Sequence, residues 1–313
     1  MIAALFPGQG SQAVGMAREL HAASPAARRV LEEAEAALPG LLELMWEGPA
    51  EELQLTANQQ PALVAAGAAA FAAYLEAGGA TPGLAAGHSL GEYTALVAAG
   101  SLSVGEAVRL VRKRGQYMQD AVPAGEGAMA AVLKLDEDVI REELAALAAD
   151  PAEVVAIANL NAPGQTVVSG TARGVARAGE ALKARGGRLV PLKVSAPFHS
   201  PLMRSAAERL AGDLAAVEFR EPSLTVVCNV TAQPLPAAAA APAILVEQVT
   251  APVRWVECVR TLGALGATRY LEFGSGKVLT GLLERILPGA AGAAVTDPAS
   301  LAAALAPSGE AKA

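Results

Sequence analysis

Gly87-His88-Ser89-Leu90-Gly91 has the spacing G-x-S-x-G. That is the pattern of a serine nucleophile carried on a sharp strand-to-helix turn. Small residues on both sides let the backbone fold tightly enough to push the hydroxyl into the open. The turn also sets Ser89 at a helix N-terminus, where the N–H of Leu90 is placed to donate to an oxyanion. An apolar strand before the motif and a helix after it give the required context. The other reading of the same five residues is an ordinary glycine-rich turn.

A serine hydroxyl is a weak nucleophile and needs a base. The chain has three histidines. His21 falls in an amphipathic helix and reads as a surface residue. His88 adjoins the serine on a turn, so it either lines the pocket or satisfies local hydrogen bonds. His199 stands in Ala196-Pro197-Phe198-His199-Ser200, just before a helix and 199 − 89 = 110 residues after the serine. Serine before histidine is the chain order of α/β-hydrolase-like enzymes. His199 is therefore the candidate base, with a helix-capping histidine as the alternative. No Asp or Glu between them stands out as a third member. Something must still set the imidazole tautomer, and a backbone carbonyl suffices.

Two further clusters bear on the chemistry. Gly8-Gln9-Gly10-Ser11-Gln12 follows the first strand, and its glycines permit close backbone approach to a ligand. It reads as the second half of an oxyanion hole, or else as a plain strand-helix turn. It is not a dinucleotide fingerprint, because Ala13 replaces the third glycine. Gly274-Ser275-Gly276-Lys277 is not a phosphate loop, since Leu271 and Val278 stand where that motif needs Gly and Ser or Thr. Arg112-Lys113-Arg114-Gly115 lies within a helix. Such clusters are ordinarily solvated. Leu110, Val111 and Met118 give this helix a buried face as well, and one guanidinium turned inward would clamp a carboxylate.

The elements that must position these residues alternate between strand and helix, which predicts an α/β fold with a largely parallel sheet. A first strand spans Ile2 to Phe6, and a second ends near Gly87. Ser24-Pro25 opens one helix. Ser103 and Glu106 form a capping box for another that reaches about Ala121. From Gly125 to Leu192 the rhythm changes. Strands at Ala128–Leu133, Val154–Ala158, Thr166–Ser169 and Arg188–Val194 enclose helices at Asp136–Ala148 and Thr171–Arg185. Asn161-Ala162-Pro163-Gly164 forms the turn between the middle strands. This βαββαβ order is the split-βαβ pattern and marks an inserted subdomain. The expected domains are thus a core over 1–124 and 193–313 and an insert over 125–192. Pro234 to Pro242 reads as a loop, and the tail after Pro307 as frayed.

At 313 residues and 53% hydrophobic content the chain can bury a large core. A formal net charge of −7 argues against nucleic acid. No uninterrupted apolar stretch is long enough to span a bilayer, and the N-terminus lacks a basic leader. A cytoplasmic location is expected, in which Cys228 and Cys258 are free buried thiols, with a disulfide between them as the alternative.

Taken in order, the GQGSQ run from Gly8, the GHSLGEY run from Gly87, Arg114-Gly115, the NAPGQ run from Asn161, Phe198-His199-Ser200 and the stretch from Gln248 to Trp255 resemble the malonyl-CoA:acyl carrier protein transacylases of bacterial fatty acid synthesis. The resemblance covers about residues 1 to 290. It implies a hydrolase-like core with a ferredoxin-like insert. It implies a malonyl-serine ester on Ser89, with His199 as base, oriented by main-chain carbonyls including that of Gln248. The amides of Gln9 and Leu90 would form the oxyanion hole, and Arg114 would bind the malonyl carboxylate. Asn159 and Asn161 would lie near the coenzyme, and Phe198 would leave little room for a 2-methyl branch. His88 joins them as a pocket residue. Leu160 and Ser275 depart from the common pattern without evident consequence. The implied partners are malonyl-CoA and holo acyl carrier protein, with the chain a monomer and no metal or prosthetic group. Lys183, Arg185, Arg188, Lys193 and Arg204 are candidates to meet the acidic carrier. A polyketide acyltransferase would share this chemistry. A serine thioesterase or esterase would share the elbow and histidine, but has no need of Arg114.

Overall fold

The computed structural model describes residues 1–147, 153–194 and 196–306. Its strands are β1 (Ile2–Phe6), β2 (Leu84–Gly87), β3 (Gly127–Leu133), β4 (Val155–Ala162), β5 (Gln165–Thr171), β6 (Arg188–Pro191), β7 (Thr225–Val227), β8 (Arg269–Phe273) and β9 (Ala291–Val295). They form two sheets. One is a five-stranded sheet ordered β7-β2-β1-β8-β9, in which every pairing is parallel. The other is a four-stranded antiparallel sheet ordered β4-β5-β3-β6.

The parallel sheet is covered on both faces, as parallel sheets must be. Ala4 and Phe6 of β1 face one hydrophobic cluster, together with the helices Thr56–Glu76 and Val104–Asp120. Ala3 and Leu5 face a second cluster around Trp255 and the helix Val278–Ile286. This alternation follows the two-residue period of a strand. The antiparallel sheet packs its own cluster beneath the helices Glu137–Leu147 and Ala172–Ala184. It is tied to the parallel-sheet body by a bridge from Asn159 to Val253, with Leu160 N donating to Val253 O and Val253 N to Ala158 O.

The helix starts follow the sequence closely. Ser24 accepts from Ala27 N at the head of Pro25–Ala37, and Ser103 and Glu106 close the capping box of Val104–Asp120. Three local expectations change. Strand β4 continues to Ala162, so Asn161 and Ala162 are strand residues and the turn shrinks to Pro163-Gly164. Proline at the second turn position with Gly164 at φ 67 suits a two-residue reversal. Strand β6 stops at Pro191 instead of Val194, where the proline ring ends regular pairing at the sheet edge. The stretch from Pro234 to Pro242 is not wholly a loop. A short turn at Ala238–Ala240 leads into the helix Ala241–Gln248, which has Pro242 in its first turn. The expected helix end at Ala148 and the tail after Pro307 lie outside the described residues.

Two helices approach unusually closely beneath the site. Pro61 interrupts Thr56–Glu76 and supplies no N–H to the carbonyl of Ala57. Arg112 Nη1 donates to that carbonyl instead, at 3.0 Å. Beside it, a Cβ at Gly115 would sit 2.6 Å from Ala57 Cα and 2.7 Å from Thr56 O. Both are backbone atoms and cannot swing aside. Gly115→Ala should destabilise the fold by about 1–3 kcal/mol through overpacking, read by urea unfolding. An unchanged unfolding midpoint would show that the helices separate freely.

Candidate active site

The site lies at the carboxyl ends of the parallel strands, where open α/β sheets collect ligands. Strand β2 delivers the turn at Ser89. Ser89 takes φ 53, a left-handed conformation rare for residues other than glycine. The glycines on either side are compulsory. A Cβ at Gly87 would fall 1.9 Å from the backbone of Gly91, and one at Gly91 would fall 2.1 Å from Phe6 O. The strained turn is gripped from both sides. Asn229, after β7, accepts from Ser89 N at 2.6 Å and donates to Gly87 O at 2.7 Å. Gln248 Nε2 donates to Ser89 O at 3.0 Å.

Ser89 Oγ lies 2.7 Å from His199 Nε2. On the far side of the ring, Nδ1 faces two carbonyls, Gln248 O at 2.9 Å and Ala251 O at 3.1 Å. Carbonyl oxygens only accept, so Nδ1 carries the proton and Nε2 is left to take one from serine. His199 is itself held at φ 55. Burial, aided by the nearby Arg114 cation, pushes its pKa down to about 3. The free imidazole is therefore neutral at ordinary pH.

Arg114 is 1% exposed. Nη1 donates to Gln60 Oε1 at 2.7 Å. Nη2 donates to Ser89 Oγ and to Gln248 Oε1, both at 3.1 Å. The guanidinium also stands over the Tyr93 ring, 5.8 Å from its centroid. Every hydrogen-bond acceptor here is a neutral oxygen. Among the described residues Arg114 joins no ion pair, and its Nε has no hydrogen-bond partner. Its pKa is lowered by burial.

A cavity of about 360 Å³ opens over Ser89 and His199, lined also by Gln9, His88, Asn159 and Phe198, with Arg114 behind Ser89. His88 both lines it and donates from Nε2 to Asn161 Oδ1 at 2.8 Å, joining the elbow to β4. The Gln9 side chain is fixed by Thr56 and Gln59, at 2.7 and 2.6 Å. The backbone amides of Gln9 and Leu90 donate to no group among the described residues. Of the five cations proposed from sequence, Lys193 lines the cavity, while Arg185 is engaged by Glu142 and Glu143. His21 packs edge-on against Trp46, and Cys228 and Cys258 are buried and free. Ser275 Oγ donates to Ser11 O at 2.5 Å, tying the loop after β8 to the loop after β1.

Sequence reasoning missed Gln60, Asn229 and Ala251, which meet the site only through the tertiary fold. It also gave no task to Glu92, which sits inside the quoted elbow run. Glu92 is 2% exposed. Its Oε2 accepts from Gln248 Nε2 at 2.7 Å and from Asn229 N at 3.0 Å.

Fold and site together are those of an acyltransferase, and residues 4–287 match the family model described as the acyl transferase domain. The malonyl CoA-acyl carrier protein transacylase of Bacillus subtilis is 47% identical over 302 residues, covering 96% of this chain and 95% of that protein. A crystal structure of acyl-carrier-protein S-malonyltransferase from Burkholderia pseudomallei superposes with a TM-score of 0.92 at 47% identity, over 97% of this chain and 99% of the other. A malonyl-transacylase solved in complex with a type II PKS acyl carrier protein gives a TM-score of 0.93 at 45% identity, over 97% and 98%. The chain belongs to the malonyl CoA-acyl carrier protein transacylase family.

Burial raises the Glu92 pKa to about 7 from the ordinary 4.5 of a free glutamate. Between those values the unfolded chain has lost this proton while the folded chain keeps it. Glu92 therefore makes folding less favourable as pH rises through the window. In Glu92→Gln that contribution is gone. Compared with wild type by urea unfolding, the variant should gain in relative stability from pH 5 to pH 7. A difference that stays flat with pH would contradict the raised pKa.

Proposed function

We propose that this chain transfers the malonyl group of malonyl-CoA to the phosphopantetheine thiol of holo acyl carrier protein, supplying fatty acid synthesis. One observation carries the substrate assignment. Arg114 is a buried cation resting on the Ser89 hydroxyl, and among the described residues no carboxylate pairs with it. A buried charge without a counter-ion is costly, and an acyl group with its own carboxylate supplies one.

The reaction runs in two halves. His199 Nε2 takes the proton as Ser89 Oγ attacks the thioester carbonyl. The oxyanion is held by the amides of Gln9 and Leu90, each contributing about 3 kcal/mol. The C–S bond breaks, coenzyme A leaves with the proton, and the malonyl-serine ester remains. The carrier thiol then attacks this ester, His199 takes its proton, and Ser89 leaves with it. Through both halves the carbonyls of Gln248 and Ala251 stabilise the imidazolium at Nδ1. Arg114 positions the malonyl carboxylate. His88, Asn159, Asn161 and Phe198 shape the acyl and pantetheine space, with the Phe198 ring limiting a 2-methyl branch.

The same reading treats the parallel-sheet body as a hydrolase-like core over 1–124 and 193–313. It treats residues 125–192 as a ferredoxin-like insert, supported by the β4-β5-β3-β6 order. The chain would act in the cytoplasm as a monomer, without metal or prosthetic group.

Incubation with malonyl-CoA, acid quench within seconds and intact-mass measurement test the cycle. Wild type should carry one malonyl group that holo acyl carrier protein removes, and Ser89→Ala should carry none. Steady release of coenzyme A into water, with no adduct, would make the chain a hydrolase. Arg114→Ala should lower the preference for malonyl over acetyl groups by roughly 100-fold, as expected for loss of a buried charge partner. Initial rates on the two thioesters measure this, and an unchanged ratio would remove Arg114 from selection.

A further inference from the structure

We propose that Glu92 is the positioning acid of this site, acting through the side chain of Gln248 on Arg114, Ser89 and the loop that holds His199. The inference rests on the transacylase reading above.

The geometry leaves the Gln248 amide one satisfactory orientation. Nε2 reaches two acceptors, Glu92 Oε2 at 2.7 Å and Ser89 O at 3.0 Å. Oε1 meets a donor, Arg114 Nη2 at 3.1 Å. Turned over, the amide would set its oxygen against a carboxylate and a carbonyl, and its NH₂ against a cation. Glu92 thus fixes which end of Gln248 faces the arginine. The main-chain oxygen of the same residue holds His199 Nδ1. One buried carboxylate therefore steadies the partner of Arg114 and the residue whose carbonyl orients the base. A second hydrogen bond, from Asn229 N at 3.0 Å, holds the Glu92 carboxyl group itself in place.

A triad places its acid directly on the histidine. Here the acid stands one residue further back, and an amide and a peptide carbonyl carry its influence forward. Direct contact would put a second charge beside Arg114 and compete with the substrate carboxylate. From behind Gln248, Glu92 orients the site without closing the arginine. The ionisable groups that influence Glu92 or are influenced by it are Arg114 on Val104–Asp120, its neighbour Tyr93, Cys228 after β7 and Cys258 on Trp255–Ala264. Arg114 is the one permanent cation among them.

The test is a double-variant cycle. Malonyl transfer kcat/KM, the malonyl-to-acetyl preference and the thermal midpoint are measured for wild type, Glu92→Gln, Gln248→Ala and the double variant. Gln248→Ala keeps the main-chain carbonyl and removes only the amide. Glu92→Gln should lower kcat/KM roughly 10-fold or more, the size seen when an orienting partner behind a ligating group is lost. It should also reduce the malonyl preference. The double variant should be no slower than Gln248→Ala alone, because Glu92 acts through that amide. Glu92→Asp, which restores the carboxyl group, should recover part of the loss, and Glu92→Ala takes the place of Glu92→Gln in the cycle if the latter does not fold. Effects that multiply, or a Glu92 variant altered in thermal midpoint but not in kcat/KM or preference, would overturn the proposal. A wild-type protein that forms no malonyl adduct would overturn the transacylase reading instead.

Discussion

A guanidinium buried to 1% exposure, with no ion-pair partner among the described residues, is the constraint on which the site depends. Taking a cation out of water costs several kcal/mol unless something replaces its hydration. The fold offers Arg114 three neutral oxygens and one aromatic face, which hold it in place without a direct ion pair among the described residues. Each of those partners needs its own support. Gln60 comes from Thr56–Glu76, which Gly115 allows to approach to backbone contact. Gln248 ends the helix Ala241–Gln248 and is fixed by Glu92. Ser89 is both the arginine's acceptor and, in the proposed cycle, the group that reacts.

The same cation explains why the histidine has no acid beside it. An aspartate on Nδ1 would sit close to Arg114 and offer it the carboxylate that the proposed function reserves for substrate. Peptide carbonyls orient the ring with partial charge only. The cost falls on the basicity of His199, which burial and Arg114 together depress. On the proposed reading, a malonyl carboxylate bound at Arg114 would neutralise the guanidinium and relieve the electrostatic part of that depression. The substrate group that satisfies the arginine would thereby strengthen the proposed base.

Much of this was legible in the sequence because it is local. The elbow announces itself through five consecutive residues whose glycines the backbone needs. His199 was found because only three histidines compete. Spacing could place Arg114 on a helix with a buried face, but not aim it inward, and the family resemblance supplied that step. The supporting shell was not legible. Asn229 lies 140 residues from Ser89, and Gln248 lies 156 from Glu92. No period or motif links residues so far apart, since the parallel sheet alone brings their loops to one edge. Strand β4 ran past its expected end because pairing with β5 and the bridge to Val253 overrode the turn signal of Asn161. Tertiary hydrogen bonds decide strand ends where local chemistry is ambiguous.

The central claim is that Arg114 awaits the substrate's carboxylate. The most direct measurement is a crystal structure of the malonyl-serine form, trapped after soaking with malonyl-CoA. The account predicts an ester on Ser89 Oγ whose free carboxylate lies within hydrogen-bond distance of the Arg114 guanidinium, with the Gln248 amide still on Glu92. A carboxylate turned toward solvent, with Arg114 bonded only to Gln60 and Gln248, would contradict it.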